Sequence, residues 1–240
     1  MSVVLPTYCE AKNIGRLIEG IHRTLQAPTE FVVVDDNSPD GTIAEVKEVA
    51  TRIPNVRLII RENERGLVTA LKRGIDEAQG EVIVWMDCDL SMPPEKVQEL
   101  VSKVVTEGYV AAIGSRYVPG GGTEYELSNG FLVLVQKYLT RGLNWWTKRM
   151  LRASFNDWTS GFIAIRSEVI RKFNFAGHYG EYFIRLMAYL IHGDHRFTEV
   201  PYHNVPRVYG KSKTVESLFG FFRTGIRYIV VVFKLRYGPG

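Results

Sequence analysis

The first 115 residues alternate between short apolar runs and longer amphipathic segments. Runs of four or five consecutive apolar residues are typical of strands that are buried on both faces. Apolar residues that recur every three or four positions, such as Ile14, Leu17, Ile18 and Ile21, are typical of helices. The pattern predicts strands at residues 2–5, 31–34, 56–60, 82–86 and 110–113, separated by helices at 11–25, 43–52, 65–78 and 94–106.

Strands that alternate with helices of this length predict an α/β fold with a mostly parallel sheet. In such sheets the ligand binds beyond the carboxyl ends of the strands. Polar residues follow four of the predicted strands, in segments 6–10, 35–40, 87–89 and 114–116. The sequence therefore predicts a functional site at one edge of the sheet.

Two common nucleotide-binding classes are excluded by their missing motifs. No G-x-G-x-x-G follows the first strand and no P-loop lysine is present, so the chain is neither a Rossmann dehydrogenase nor a P-loop NTPase. The two cysteines, Cys9 and Cys88, match neither a metal-binding box nor a disulfide framework. A reducing compartment is therefore expected.

Two carboxylates follow the strand at 82–86, at Asp87 and Asp89. Residues i and i+2 of an extended segment point the same way, so these oxygens face one point. Such a pair suits a divalent cation such as Mg²⁺ or Mn²⁺, although Asp is also common in the turns that follow strands. From the spacing alone, both interpretations stay open.

Beyond Tyr117 the pattern changes to long helices at residues 130–151 and 215–236, with strands at 162–165 and 197–202 and a helix at 181–192 between them. The helix at 130–151 carries Trp145 and Trp146. It also carries a basic stripe of Lys137, Arg141, Lys148 and Arg152, and on the last helix Leu218, Phe219, Phe222, Ile226, Ile229 and Phe233 share a face.

The formal net charge is +4, but the basic residues are concentrated late in the chain. Residues 116–152 hold six Lys or Arg against two Glu, and residues 207–240 hold seven against one. With the neighbouring aromatic residues, these segments favour a membrane interface over ordinary solvated faces. A nucleic-acid partner is not expected, because the predicted ligand edge is acidic.

No uncharged apolar run approaches the roughly 20 residues that span a bilayer, and the first strand leaves no room for a signal peptide. We therefore expect association with a membrane surface without a spanning segment.

Six ordered motifs identify a resemblance: Pro6-Thr7-Tyr8-x-Glu10, Asp35-Asp36-x-Ser38-Pro39-Asp40-Gly41-Thr42, Gly66-Leu67-x-x-Ala70, Asp87-x-Asp89-Leu90, Gly114-Ser115-Arg116-Tyr117 and Thr159-Ser160-Gly161-Phe162. Across residues 2–215 the chain resembles the family-2 inverting glycosyltransferases and, within them, the dolichyl-phosphate (polyprenyl-phosphate) mannose synthases. The resemblance implies a nucleotide-sugar-binding α/β fold with C-terminal amphipathic interface helices, and a Mg²⁺ or Mn²⁺ cofactor. It implies transfer of mannose from GDP-mannose to a polyprenyl phosphate, giving a β-linked product.

The resemblance also implies roles for individual residues. Asp89 and Arg116 become catalytic candidates, with Arg116 contacting the acceptor phosphate. Asp87 and Asp89 become metal and diphosphate contacts, with Cys88 between them and Ser91 at a third ligand position. The remaining donor contacts implied are Pro6, Tyr8, Glu10, Val34 and Asp36 for the nucleoside, and Arg207 and Lys213 for the diphosphate.

A phosphate acceptor is already an anion near neutral pH, so no general base is expected. Residues 1–214 would form the catalytic domain, including the amphipathic helix at about 130–151, and residues 215–240 the membrane-interface helix. The supply of nucleotide sugars indicates the cytoplasmic side of a membrane. Many relatives continue into transmembrane helices, which leaves open a separate or missing transmembrane partner. Two alternatives remain: a UDP-glucose-dependent polyprenyl-phosphate glucosyltransferase, and a non-catalytic lipid-phosphate-binding module of the same fold.

Overall fold

A computed structural model of the protein describes residues 1–124, 130–210 and 218–238, without the side chains of residues 130–134, 136 and 218–223. The strands are β1 (Ser2–Thr7), β2 (Glu30–Asp35), β3 (Val56–Ile60), β4 (Val82–Trp85), β5 (Ala111–Ser115), β6 (Gly122–Thr123), β7 (Ile163–Arg166), β8 (Phe197–Pro201) and β9 (His203–Asn204). The helices are α1 (Ile14–Thr24), α2 (Thr42–Arg52), α3 (Leu67–Glu77), α4 (Lys96–Val105), α5 (Gly130–Leu151), α6 (Ser167–Ile170), α7 (Glu181–His192) and α8 (Leu218–Tyr237).

Seven strands form one central sheet in the order β3-β2-β1-β4-β7-β5-β8. All neighbouring pairs are parallel except those of β7, which runs antiparallel to both β4 and β5. Strands β6 and β9 form a separate two-stranded pair. The predicted α/β fold with a mostly parallel sheet is confirmed, and β7 is the exception that the hydrophobic pattern did not identify.

Two hydrophobic cores cover the two faces of the sheet, which explains why its strands are apolar on both sides. Strand β4 shows the alternation: Val82 and Val84 face the core beneath α1, α2 and α4. Ile83 and Trp85 face the core that contains residues of α3, α7 and α8. The strand therefore ends with its last aromatic side chain on the α7 side.

Several predicted helix starts were wrong by two or three residues. Helix α1 begins at Ile14 and not at residue 11, because Lys12 has a positive φ of 72° and its N–H donates to Glu45. Helix α3 begins at Leu67, because Gly66 has a φ of 136°. Both departures put turns instead of helix at the ligand edge. Likewise, α4 begins at Lys96 and not at residue 94.

Helix α8 packs against α7 and α5, and it joins the main core through Tyr228, Val231 and Val232. Trp146 of α5 contacts Phe233 of α8, with ring centroids 5.6 Å apart. The predicted boundary at residue 215 lies outside the described residues. In the described parts of the chain, every helix is too short or too polar to cross a membrane.

Helix α3 approaches the sheet closely at Gly74. A Cβ atom there would lie 2.3 Å from Cγ1 of Val4 on β1. We predict that Gly74→Ala lowers the free energy of unfolding by about 1–3 kcal/mol through overpacking, although alanine is the better helix former by about 1 kcal/mol. Urea titration measures this change.

Gly142→Ala in α5 is the matched control, since no described atom approaches its added Cβ within 4 Å. It should leave stability unchanged or raise it by up to about 1 kcal/mol. Equal effects at the two positions would contradict the close-packing argument.

Candidate active site

A cleft of about 420 Å³ opens at the carboxyl ends of the parallel strands, where the sequence predicted the site. Its walls come from β1, β2, β4, the start of α3 and two later segments of the chain. The lining residues are Pro6, Thr7, Tyr8, Glu10, Asp36, Arg65, Gly66, Leu67, Ala70, Asp87, Cys88, Asp89, His178, Tyr179 and Arg207.

Asp87 and Asp89 both line this cleft, directly after β4. Asp87 is exposed on the cleft side, and protein atoms surround its other sides. This burial, and next the charge of Asp89, raise the pKa of Asp87 to about 7. No hydrogen-bond or ion-pair partner of Asp87 occurs among the described residues. A cation in the cleft would therefore favour its ionised form.

Arg207 spans the cleft between two other acids. One guanidinium nitrogen, Nη1, lies 3.2 Å from Oε2 of Glu10, and Nη2 lies 3.1 Å from Oδ2 of Asp89. Oδ1 of Asp89 accepts the backbone N–H of Ser91 at 3.0 Å. Arg207 thus brings a positive charge to the carboxylate pair, as expected for a residue that contacts a diphosphate.

Asp36 is held by an arginine that sequence reasoning missed. The buried Arg61 side chain donates through Nε to Oδ1 of Asp36 at 2.7 Å, and also through Nη2. Oδ2 of Asp36 accepts the backbone N–H of Gly66 at 2.8 Å. The carboxylate therefore fixes the turn before α3, and a ribose contact would have to use its remaining lone pair.

Tyr8 and Pro6 lie at the same end of the cleft. The guanidinium of Arg65 lies over the Tyr8 ring, 5.0 Å from its centroid, which is a cation–π arrangement. Pro6 contributes its carbonyl, which accepts the thiol of Cys88 at 3.4 Å. Cys88 is buried, so its side chain holds the Asp87–Asp89 segment against β1.

Arg116 lies at the end of β5 and forms a buried ion pair. Its Nε and Nη2 donate to the two carboxylate oxygens of Asp157, at 2.8 and 2.7 Å. Nη2 also donates to Thr159, and the Arg116 backbone N–H donates to Asp157. The positive charge of Arg116 acts on Asp87, where it lowers the pKa. In the described residues, Nη1 has no acceptor and is available to an anion.

Arg116 does not line the described cleft, and three further predicted residues are not brought into it either. The Val34 side chain is fully buried in the core against α3, so only its backbone could reach a nucleotide. Ser91 is buried and contributes its backbone to Asp89, but it does not line the described cleft. Lys213 lies outside the described residues. The roles of all three stay predictions.

His178 and Tyr179 line the cleft although no sequence motif selected them. They lie in the turn before α7, where no periodic pattern marks them. Neither Arg61 nor Asp157 belongs to a spacing motif, because each pairs with a residue that is distant in sequence. Among the described residues no group of three or more metal-binding side chains occurs. Asp87 and Asp89 are two carboxylates that line the same cleft.

The Arg116–Asp157 pair gives a testable prediction. Asp157→Asn should lower the free energy of unfolding by about 3 kcal/mol, because it leaves a buried guanidinium without its counter-charge. Denaturant titration measures the loss. Asp76→Asn removes one partner of the half-exposed Lys72–Asp76 pair and should cost less than about 0.5 kcal/mol. A similar small loss at Asp157 would contradict the structural role of the pair.

Comparisons with known proteins agree with this geometry. The profile of glycosyl transferase family 2 matches residues 2–173. A dolichol-phosphate mannosyltransferase of Pyrococcus furiosus is 37% identical over 93% of this chain and 62% of its own length. A polyprenol monophosphomannose synthase of Mycolicibacterium smegmatis is 32% identical over 94% of this chain and 86% of its own. A Saccharomyces cerevisiae dolichol-phosphate mannosyltransferase is 42% identical over 51% of this chain.

This chain spans 62% of the Pyrococcus relative and 47% of the yeast relative. A solved structure with a similar fold is glucosyl-3-phosphoglycerate synthase of Mycobacterium tuberculosis, crystallised with Mn²⁺, UDP and glucosyl-3-phosphoglycerate. The match has a TM-score of 0.74 at 21% identity, and it covers 100% of this chain and 80% of that one. The predicted fold and family are confirmed, and the chain belongs to glycosyl transferase family 2.

Proposed function

We propose that this chain transfers mannose from GDP-mannose to a dolichyl or other polyprenyl phosphate, with inversion at the anomeric carbon. The observation that carries the proposal is the Asp87–Asp89 pair, which lines one cleft together with Tyr8, Asp36 and Arg207. The relatives named dolichol-phosphate mannosyltransferase and polyprenol monophosphomannose synthase support the choice of donor sugar and acceptor.

The nucleoside of the donor binds at the end of the cleft formed by Pro6, Tyr8, Glu10 and Asp36. Tyr8 offers an aromatic face to the base, and the turn that Asp36 fixes lies beside it. The diphosphate then extends toward Asp87 and Asp89, where Arg207 already lies within 3.1 Å of a carboxylate oxygen. Lys213 supplies a further cation to the diphosphate.

A Mg²⁺ or Mn²⁺ ion is held by the carboxylates of Asp87 and Asp89. These two carboxylates fit such an ion, because Mg²⁺ is commonly bound by one or two carboxylates together with substrate phosphates and water. The crystallised relative that binds Mn²⁺ and UDP has the same fold. When bound, the ion supplies charge neutralisation to the departing nucleoside diphosphate.

The acceptor phosphate is the nucleophile. One of its oxygens forms a bond to the anomeric carbon as the bond from that carbon to GDP breaks, and the electron pair leaves with GDP. No proton has to be removed, since the phosphate is already ionised. Arg116 orients the acceptor through the N–H groups that Asp157 leaves available, and catalysis consists of holding two anions in line.

Helices α5 and α8 form the membrane interface, on the cytoplasmic side where nucleotide sugars are supplied. Large apolar and aromatic side chains on both helices are exposed. On α8, Ile226 is 60% exposed and Phe233 is 47% exposed, and on α5, Trp145 is 69% exposed. Exposed basic residues on the same helices, including Arg141 and Lys234, complement anionic lipid.

A labelled-donor assay tests the reaction. The protein is incubated with polyprenyl phosphate, Mn²⁺ and either GDP-mannose or UDP-glucose, and the lipid fraction is analysed for sugar. We expect labelled lipid-phosphate mannose from GDP-mannose only. Transfer from UDP-glucose alone would change the donor and keep the reaction class, and transfer from neither would refute the enzymatic proposal.

Asp87→Asn tests the metal role with little structural cost, because no described residue bonds this carboxylate. We expect transfer to fall by more than about 100-fold, since even residues that only support metal ligands cost 10- to 100-fold. Binding of Mn²⁺ with GDP should weaken in parallel, as measured by titration calorimetry. Asp76→Asn is the matched surface control, and retained transfer in Asp87→Asn would exclude the proposed ligand.

Sedimentation with anionic liposomes tests the interface. Trp145→Ser and Phe233→Ser should each weaken binding by about tenfold, the equivalent of about 1.5 kcal/mol of apolar burial. Raising the salt concentration should weaken wild-type binding. Val105→Ser changes a residue of α4 that is 62% exposed and should have no effect. Liposome binding that neither Trp145→Ser nor Phe233→Ser weakens would contradict the proposed surface.

A further inference from the structure

The turn at residues 177–180 forms the part of the cleft wall that no motif accounts for. Of its residues, His178 and Tyr179 line the cleft together with Asp87 and Asp89. Helix α7 starts at the end of this turn, at Glu181. The chain therefore returns to the ligand edge here, after β7 has carried it to the opposite edge of the sheet.

The side chain of Glu181 fixes the turn through two hydrogen bonds. This carboxylate is only 4% exposed. Its Oε1 accepts the backbone N–H of His178 at 2.8 Å, and its Oε2 accepts that of Tyr179 at 3.1 Å. Because both backbone N–H groups are committed to one buried side chain, the two side chains leave the turn in fixed directions.

Helix α7 is also bonded to the strand that carries the paired carboxylates. Nε1 of Trp85, at the end of β4, donates to the hydroxyl of Tyr182 at 3.0 Å, and both side chains are buried. Trp85 lies two residues before Asp87. This bond therefore fixes the start of α7, and with it the turn, beside the carboxylates.

Helix α8 closes the other side of the turn. A Cβ atom at Gly180 would lie 2.0 Å from the hydroxyl of Tyr228, so only glycine permits this contact. Burial, and after it the neighbouring Tyr179 and Glu181, raise the pKa of the Tyr228 phenol. The turn is thus held between the sheet and α8.

The order of elements across the sheet determines what meets this turn. The nucleoside end of the cleft lies at β2 and β1, and the carboxylates follow β4, which is the next strand. The turn lies beside the carboxylates, because Tyr182 of α7 is bonded to Trp85 of β4. A donor that runs from its nucleoside through its diphosphate along this direction presents its hexose to residues 178 and 179.

We infer that His178 and Tyr179 bind the hexose of the nucleotide-sugar donor and contribute to selection among sugars. The inference rests on the proposed transferase function and adds the sugar contacts to it. Imidazole and phenol groups both donate and accept hydrogen bonds, which matches the hydroxyl groups of a hexose. A site that pairs with particular hydroxyls discriminates against sugars that lack or invert them.

Binding measurements with and without the sugar test the inference. In the presence of Mn²⁺ and without acceptor, calorimetry gives the Kd of GDP-mannose and of GDP for the wild type, His178→Ala and Tyr179→Phe. We expect the Kd of GDP-mannose to rise about tenfold in His178→Ala and about fivefold in Tyr179→Phe, as for one lost hydrogen bond. The Kd of GDP should change less than twofold.

His192→Ala, at the last residue of the same helix, is the matched control and should change neither constant. Equal weakening of GDP and GDP-mannose would overturn the inference, because it would mean that the turn only supports the cleft. Unchanged binding of both would overturn it as well. If the wild type binds UDP-glucose instead of GDP-mannose, the proposed donor fails. The Kd of UDP-glucose and the Kd of UDP, each compared between the wild type and the two variants, then test the sugar contact separately. If it binds no nucleotide sugar, both proposals fall.

Discussion

Repulsion among acidic side chains at one edge of the sheet is the constraint on which the rest of this site depends. Glu10, Asp36, Asp87 and Asp89 line one cleft, and like charges this close oppose ionisation. Arginines relieve most of the repulsion: Arg61 pairs with Asp36, and Arg207 joins Glu10 to Asp89. Asp87 alone among these acids has no bonded counter-charge in the described structure. Burial, and next the charge of Asp89, raise its pKa. Asp87 is thus the acid of the cleft that a bound cation would stabilise most.

The sequence predicted the location of the site because the rule behind it is local. Asp87 and Asp89 directly follow an apolar strand, and parallel strands bring such ends to one edge. Arg61 and Asp157 escaped prediction because their partners are remote in sequence. Asp157, for example, meets Arg116 across 41 residues. His178 escaped it because it lies in a turn that no periodic pattern marks. The direction of β7 was equally hidden, since an apolar run does not indicate whether a strand runs parallel or antiparallel. The starts of α1 and α3 were predicted too early for a third reason. Tertiary hydrogen bonds hold residues 8–13 and Gly66 in non-helical conformations.

Helix α8 illustrates how one helix serves two environments. The face predicted from periodicity contains Ile226, Ile229 and Phe233, which the structure leaves exposed. A second set, including Val231 and Val232, is buried in the main core. A helix with apolar residues on both sides cannot be assigned from its pattern alone to a core or to a membrane. Here the packing on α7 and α5 assigns the second set to the core and leaves the first to solvent or lipid.

The reversed strand β7 makes the segment between β5 and β7 leave and re-enter the sheet at the same edge. Strand β5 ends at the ligand edge, and because β7 runs the other way it begins at that same edge, with Ile163 paired to Ile113. Everything from residue 116 to residue 162, including α5, therefore leaves and re-enters the sheet through adjacent points. Chain segments whose ends lie close together can be lengthened, shortened or exchanged without moving the framework that they leave. Loops within residues 116–162 can thus vary in length while the sheet keeps the cleft in register.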